Sequence, residues 1–207
     1  MEHTNAKRVY ESYSDVIGDE YHVYKGIPFP GHHVPAERLE RVPNFEVRAD
    51  DILVCGYMKS GNHWLKEIAS LIVHGHDSDR VKENIFMRAP FLEVSPKVMG
   101  DSLTNLTNLP RNGPRIMGTH LRASLLPHGV TKERKGKVIF LIRNPKDIAV
   151  SMYHFHRMNR NLGLYEGTWA QFFQWFLNGE VVFGSWFDYV LDWIQFLQQN
   201  RYFVREI

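Results

Sequence analysis

The sequence predicts an α/β fold, a parallel β-sheet flanked by helices. Three short apolar runs, each ending in a polar turn, carry that expectation, together with helix-like spacing after two of them. In sheets of this kind ligands bind beyond the carboxyl ends of the strands. The three polar turns therefore mark where a site is expected.

Residues 1–45 show little periodicity and are broken by Pro28, Pro30, Pro35 and Pro43, so they read as an N-terminal arm. Within it "YKGIPFPG" is either an edge segment folded over a site or part of an arm packed on the core. From Asp50-Asp51, "DDILVCGY" is apolar and bounded by acids and glycine, which suits a short buried strand. Trp64, Leu65, Ile68, Leu71 and Ile72 then recur at helical spacing. Residues 75–114 read as irregular, and "SLTNLTNLP" carries strong turn chemistry. "PRIMGTH" is a second strand candidate. Val138–Ile142 is the clearest strand, a continuous apolar run as in a parallel strand covered on both faces. Pro145 opens the next helix, where its missing N–H costs little, and "KDIAVSMYHFHRM" continues it. "TWAQFFQWFLNG" is a third helix with Thr168 as cap and Gly179 as stop. "GSWFDYVLDWIQFLQQN" is a fourth, its aromatic stripe read as core packing. "RYFVREI" begins like a strand. One domain is expected over residues 1–207, with a nucleotide-binding core over 46–207.

A chain of 207 residues with 43% hydrophobic and 13% aromatic content has enough for a full core. Its 25 Lys+Arg face 23 Asp+Glu, so no general field for polyanions exists and nucleic acid is not expected as a partner. Any anion must be captured by local donors. Cys55 is the only cysteine, which rules out disulfides within the chain and suits a reducing compartment. The polar N-terminus has no signal-peptide core, and no run approaches the ~20 apolar residues of a membrane span. A cytoplasmic protein with no membrane partner is expected.

The first turn is "GYMKSGNHW". Successive N–H groups at a helix N-terminus make a concavity that suits phosphate or sulfate. Gly56 and Gly61 permit close backbone approach, Lys59 adds charge and Ser60 a hydroxyl. The alternative is a helix cap with a surface lysine. The second turn, "LIRNPKDIAVS", puts Arg143 at a strand end and Ser151 two helical turns on; Arg suits bidentate phosphate contacts, and a plain pair with Asp147 is the alternative. The third, "GTHLRASLLP", carries His120, which matters only if it faces the other two. The pairs His32-His33, His74/His76 and His154/His156 lack a third ligand at set spacing, so no metal is expected.

These segments together resemble a known family. "YMKSGNHWLKEI" is similar to the "YPKSGTTW" loop of the cytosolic sulfotransferases of phenol, steroid and alcohol type, and "LIRNPKDIAVSMYHF" to their "RNPKDVAVSYYHF" signature. "IFMRAPFLE", "THLRASLLP" and "GTWAQFFQWFLNGEVVFGSWFDYVLDW" extend the likeness in order, over roughly residues 20–200. The resemblance implies a P-loop-like sulfotransferase fold. It also implies transfer of a sulfuryl group from 3′-phosphoadenosine 5′-phosphosulfate (PAPS) to a hydroxyl or amine of a small-molecule acceptor. Lys59 would then sit by the bridging oxygen of the leaving phosphate. Ser60, Gly61, Asn62 and His63 would surround the 5′-phosphosulfate, and Trp64 would stack on adenine. Arg143 and Ser151 would hold the 3′-phosphate, and His120 would take the acceptor's proton. Met58, Phe86, Phe91, Tyr153 and Phe155, with His120, are expected to line an apolar acceptor pocket.

The sequence departs from the pattern at four positions. Met58 replaces a proline, Asn62 and His63 replace two threonines, and Gly118 replaces a lysine two residues before His120. Slower chemistry or a changed acceptor is expected, with cofactor binding kept. The tyrosine of the next strand, the aromatic that closes on adenine, the "RKG" run at the 3′-phosphate and the dimer motif would lie beyond Ile207. A C-terminally truncated member is therefore expected, with a homodimer left open. The rival reading is a non-catalytic member that binds nucleotide or a protein partner. A P-loop kinase ranks lower, because the Gly-Lys-Ser/Thr order is missing.

Overall fold

The computed structural model describes residues 10–18, 21–76 and 78–200. The strand expected at "RYFVREI" and the first nine residues of the arm lie outside that set. The arm is not featureless. Lys25 and Gly26 take positive φ (50° and 77°) and turn β1 (Tyr21–Tyr24) back onto β2 (Ile27–Pro30) as an antiparallel hairpin. Ile27 and Phe29 are buried in the core, while Pro30 faces the cavity described below. The segment thus packs on the core and borders a site at once.

The centre is a three-stranded parallel sheet in the order β4-β3-β5: β3 (Ile52–Gly56) lies between β4 (Ile116–Thr119) and β5 (Lys137–Leu141). Register pairs Val54 with Gly118 and Ile139, and Leu53 with Met117 and Val138. Period-2 alternation sends Leu53, Cys55 and Met117 into the large core and Val54 and Ile116 into a small cluster with Ala69 and Ala89. At the foot of the sheet Arg115 grips buried Asp51 with both arms (Nε to Oδ1 2.8 Å, Nη2 to Oδ2 2.6 Å) and donates to the carbonyls of Leu106 and Glu46. A bidentate, fully bonded pair of this kind fixes the starts of β3 and β4 relative to each other.

Among the described residues five longer helices accompany the sheet. α1 (Asn62–His74) follows Gly61, whose φ of 115° only glycine adopts freely, and stops at Gly75. α2 (Ser102–Asn108) corrects the expectation of a turn at "SLTNLTNLP": the Asp101 side chain accepts from the Thr104 amide, and Leu103 and Leu106 are buried on one face. A cap and an i, i+3 apolar pair outweigh the turn propensity of Ser and Asn. α3 (Pro145–Met158) is capped by Asn144, and α4 (Trp169–Asn178) by Thr168, with left-handed Gly179 as its stop. α5 (Trp186–Asn200) buries Tyr189, Trp193 and Leu197 at helical spacing, as core packing requires. Among the described residues no helix is long and apolar enough to cross a membrane.

Two apolar stripes turn out differently from their pattern. α1 presents Trp64, Ile68, Leu71 and Ile72 outward, and buries Asn62, Lys66, Ala69 and Ser70 instead. Its inward face meets close backbone at Gly118 on β4, and its polar residues find hydrogen-bond partners at Gly56, Ala89 and Arg88, which small and polar residues suit. On β5 the face bearing Val138 and Phe140 packs, with Phe140 stacked on Trp193 at 4.9 Å. The opposite face does not: Ile139 is 38% and Ile142 52% exposed. α1 covers β3 and β4, so the continuous apolar run is covered on one face only among the described residues.

Candidate functional site

One cavity of about 640 Å³ opens beyond the carboxyl ends of all three strands. It gathers Met58, Lys59, Gly61, Asn62, His63 and Trp64 from the first turn, His120 from the third, and Arg143, Ser151 and Phe155 from the second turn and α3. Phe86 and Phe91 close its far side. Two predicted site residues are not on its wall. Tyr153 is buried among Tyr165, Trp169 and Phe172, because its position on α3 faces α4 and the core. Ser60 lies just behind the turn, 7% exposed, and its Oγ has no hydrogen-bond partner among the described residues.

The turn between β3 and α1 is tightly held. Lys59 has φ 69°, a left-handed conformation that costs a side-chain-bearing residue about 1–3 kcal/mol. Arg143 offsets this by donating from Nη1 to the Lys59 carbonyl at 2.9 Å, and so does not spend that arm on Asp147. The Lys59 ammonium sits 4.1 Å over the Phe155 ring. Desolvation and then the Arg143 charge hold the Lys59 pKa below its ordinary value. Its charge, the Arg143 guanidinium and the free amides at the start of α1 make an electropositive mouth.

Asn62 joins this turn to His120. Its Nδ2 donates to the carbonyls of Gly56 (2.7 Å) and Tyr57 (3.2 Å) and lies 2.9 Å from His120 Nδ1. A Cβ on Gly56 would collide with the Asn62 side chain and displace it from His120. His120 Nδ1 is 2.8 Å from the Gly56 carbonyl. Both Asn62 protons go to carbonyls, so the consistent tautomer has His120 donating from Nδ1 to Gly56. Nε2 then keeps its lone pair. Burial, with His63, Lys66 and Lys59 adding to it, lowers the His120 pKa to about 3, while the Gly56 carbonyl opposes the shift. The ring is neutral at pH 7 and can accept a proton.

Behind His120 lies a layer that motif reading passes over. Glu93, fully buried, accepts from the His120 amide (2.7 Å) and the Thr119 hydroxyl (2.9 Å); burial raises its pKa. Lys66, also fully buried, donates to the Ala89 carbonyl at 2.7 Å, and burial lowers its pKa to about 7, so it is a full ammonium through the acid range in which His120 titrates. Its position four residues after Asn62 was the signal that it shares Asn62's inward face. Glu93 closes "IFMRAPFLE", a stretch that carries the family resemblance without assigning this residue a role. A Cβ at position 118 would come within 2.7 Å of Phe91 and 3.0 Å of Lys66 Cδ. The lysine that the family pattern sets at position 118 is thus replaced by a glycine against which a different lysine packs. Phe183, held by the Pro28 carbonyl at 2.8 Å, completes the wall edge-on to His120 at 5.2 Å.

One histidine of the three pairs has structural work. His156 is buried, with Nδ1 on the Met152 carbonyl (2.7 Å) and Nε2 2.6 Å from the Tyr13 hydroxyl. Among the described residues no group of three His, Cys, Asp or Glu is placed to hold a metal.

A family model described as a sulfotransferase domain matches residues 49–205. Sulfotransferase 1 family member D1 of Rattus norvegicus is 40% identical over 167 residues, 80% of this chain and 55% of that protein. Sulfotransferase 2B1 of Mus musculus is 40% identical over 188 residues, 90% of this chain and 53% of that protein. The chain therefore spans about half the length of the curated relatives it matches. Among solved structures, mouse sulfotransferase SULT7A1 complexed with PAP matches with a TM-score of 0.69 at 36% identity, covering 86% of this chain and 58% of that one. Retinol dehydratase in a complex with retinol and PAP gives 0.67 at 21% identity, covering 84% and 58%, a likeness of fold alone.

Proposed function

The chain belongs to the sulfotransferase domain family, and from that premise we propose that it carries the sulfuryl-transfer site of a PAPS-dependent enzyme. The acceptor is a hydroxyl or amine of a small apolar molecule such as a phenol, steroid or alcohol. The observation that carries this reading is the single cavity that brings Lys59, His120 and Arg143 together from three strand ends. Residues 46–207 act as the nucleotide-binding core of one domain, residues 1–45 as its arm, in a cytoplasmic protein.

The residues present fit the donor. The cavity mouth is cationic, α1 starts at a left-handed glycine with its first amides free for an anion, and Ser60 Oγ is a buried hydroxyl without a partner among the described residues. Lys59, Ser60, Gly61, Asn62 and His63 would hold the phosphosulfate end, Trp64 the base, and Arg143 with Ser151 the 3′-phosphate. When bound, PAPS supplies the sulfuryl group and a phosphate as leaving group. His120 takes the acceptor's proton at Nε2, oriented by the Gly56 carbonyl on Nδ1. Lys59 meets the negative charge that grows on the leaving oxygen. Phe86, Phe91 and Phe155 exclude water around the acceptor. The test is turnover of a labelled sulfuryl donor with phenol, steroid and alcohol acceptors. Activity that Lys59→Ala and His120→Ala each abolish supports the reading; activity that survives either change contradicts it.

A second reading rests on one observation. Trp64, the proposed base platform, is 80% exposed. A member that binds nucleotide or a protein partner without turnover fits that openness. Nucleotide binding without transfer to any acceptor would select it.

A further inference from the structure

The most unusual group in the molecule is the Lys66 ammonium. It has no solvent exposure, and among the described residues its hydrogen bond is to the Ala89 carbonyl. It sits 3.7 Å from the centre of the Phe91 ring, near enough for a strong cation–π contact, and 5.5 Å from that of Phe86. Phe91 in turn lies 4.7 Å from the His120 ring and 5.4 Å from that of His63. The stem of Lys66 runs past Gly118, the one residue type that leaves room for it and Phe91 together. A methionine would fill that volume without the cost of desolvating a charge. The charge is therefore what needs explaining.

The contacts close a ring. Asn62 on α1 meets His120. One turn later Lys66 ties α1 to Ala89 and presses on Phe91. Phe91 packs on His120, and Glu93, two residues on, receives the His120 amide. The Pro90 carbonyl and Leu92 amide bond to Gly118 on either side of Phe91, so the ring cannot drift along β4. We propose that Lys66 is a positioning residue, whose buried ammonium clamps Phe91 against His120 and so fixes the imidazole that faces the acceptor. The functional part of this role rests on the sulfuryl-transfer reading, but the clamp itself is testable without turnover.

Several charged groups face this assembly. His63, Lys59 and Lys66 bear on His120; Glu93, Arg88 and Glu67 bear on Lys66. Lys66 is the cation whose loss changes this balance without touching the cavity wall, which it does not line.

The test compares the full chain with Lys66→Met, which keeps length and loses charge, and with Lys66→Gln, which keeps a donor toward Ala89. The titration of the His120 ring is followed by NMR. The clamp predicts that it moves to higher pH in both variants and that the ring signal broadens in Lys66→Met. A His120 titration and line width unchanged in a folded variant overturn the proposal. Where turnover is measurable, kcat falls roughly 10–100-fold in Lys66→Met, as a displaced catalytic group costs. The KM for the donor and the affinity for 3′-phosphoadenosine 5′-phosphate stay within about threefold, and the acid limb of kcat/KM moves with the NMR titration. A wild-type chain with no turnover and a Lys66-dependent His120 titration would sink the transfer reading and leave the clamp standing.

Discussion

The two ends of the cavity are built to different standards. At the end proposed to react, His120, Asn62, Glu93 and Lys66 are all buried, and each has partners within the chain. At the end proposed for the nucleotide, Trp64 stands in solvent, Arg143 and Ser151 are partly exposed, and β5 below them has Ile139 open on one face. The first end is preorganised, so its chemistry depends little on ligand binding for geometry. The second end has its charge in place but little enclosure, so affinity there rests on a few donors.

The largest effect is expected at the reacting end. His120→Ala should lower kcat about 10²–10⁴-fold, as loss of a general base does, with affinity for 3′-phosphoadenosine 5′-phosphate unchanged within about twofold by calorimetry. A comparable loss of nucleotide affinity would erase the distinction between the ends.

Acid stability comes next. His120 and His156 are buried, with pKa lowered to about 3 and about 4, mainly by desolvation. The unfolded chain takes up protons on these rings near pH 6.5, the folded chain far lower, so stability is full above about pH 6.5 and falls as the pH drops below it. Each ring contributes up to about 1.4 kcal/mol per pH unit in that window. Glu93 acts in the opposite sense, because burial raises its pKa and the folded state holds the extra proton. Urea unfolding between pH 7 and 4 should show the net fall, and His120→Gln should make it shallower.

At the nucleotide end, Arg143→Ala removes a charged donor and the tie on the Lys59 carbonyl. Binding of 3′-phosphoadenosine 5′-phosphate should weaken roughly 10–100-fold, from about 1.5–3 kcal/mol for a charged hydrogen bond. Trp64→Ala should cost about tenfold, in line with about 1–3 kcal/mol for base stacking, and leave the melting temperature of the free chain unchanged, since the ring is 80% exposed. Ser151→Ala should cost the least, a few-fold, for one neutral hydrogen bond of about 0.5–1.5 kcal/mol.

Much of this arrangement was legible in the sequence. The three strands, the Pro145 and Thr168 helix starts and the turn residues Lys59, His120 and Arg143 are local features, set by propensity and by chemistry at strand ends. What was not legible depends on who faces whom. The α1 apolar stripe marked a helix but not its buried face, because the inward side is chosen by close approach to β4 at Gly118. Tyr153 and Phe155 stand two residues apart on α3, so one meets the core and the other the cavity. Glu93 and Lys66 lie inside stretches that resemble the family, but no role was assigned to them there. They are found only because a lysine and a carboxylate buried behind one histidine need partners.

The central claim is that this chain holds a donor-nucleotide site at the ends of its three strands, and thermal unfolding with and without 3′-phosphoadenosine 5′-phosphate tests it most directly. At a hundred times its dissociation constant a ligand adds about 2.7 kcal/mol, or roughly 5–10 °C in melting temperature for a domain of this size. The account predicts such a rise in the wild-type chain and its loss in Arg143→Ala. A cooperative transition that does not move with nucleotide, or a rise that Arg143→Ala leaves intact, would contradict it.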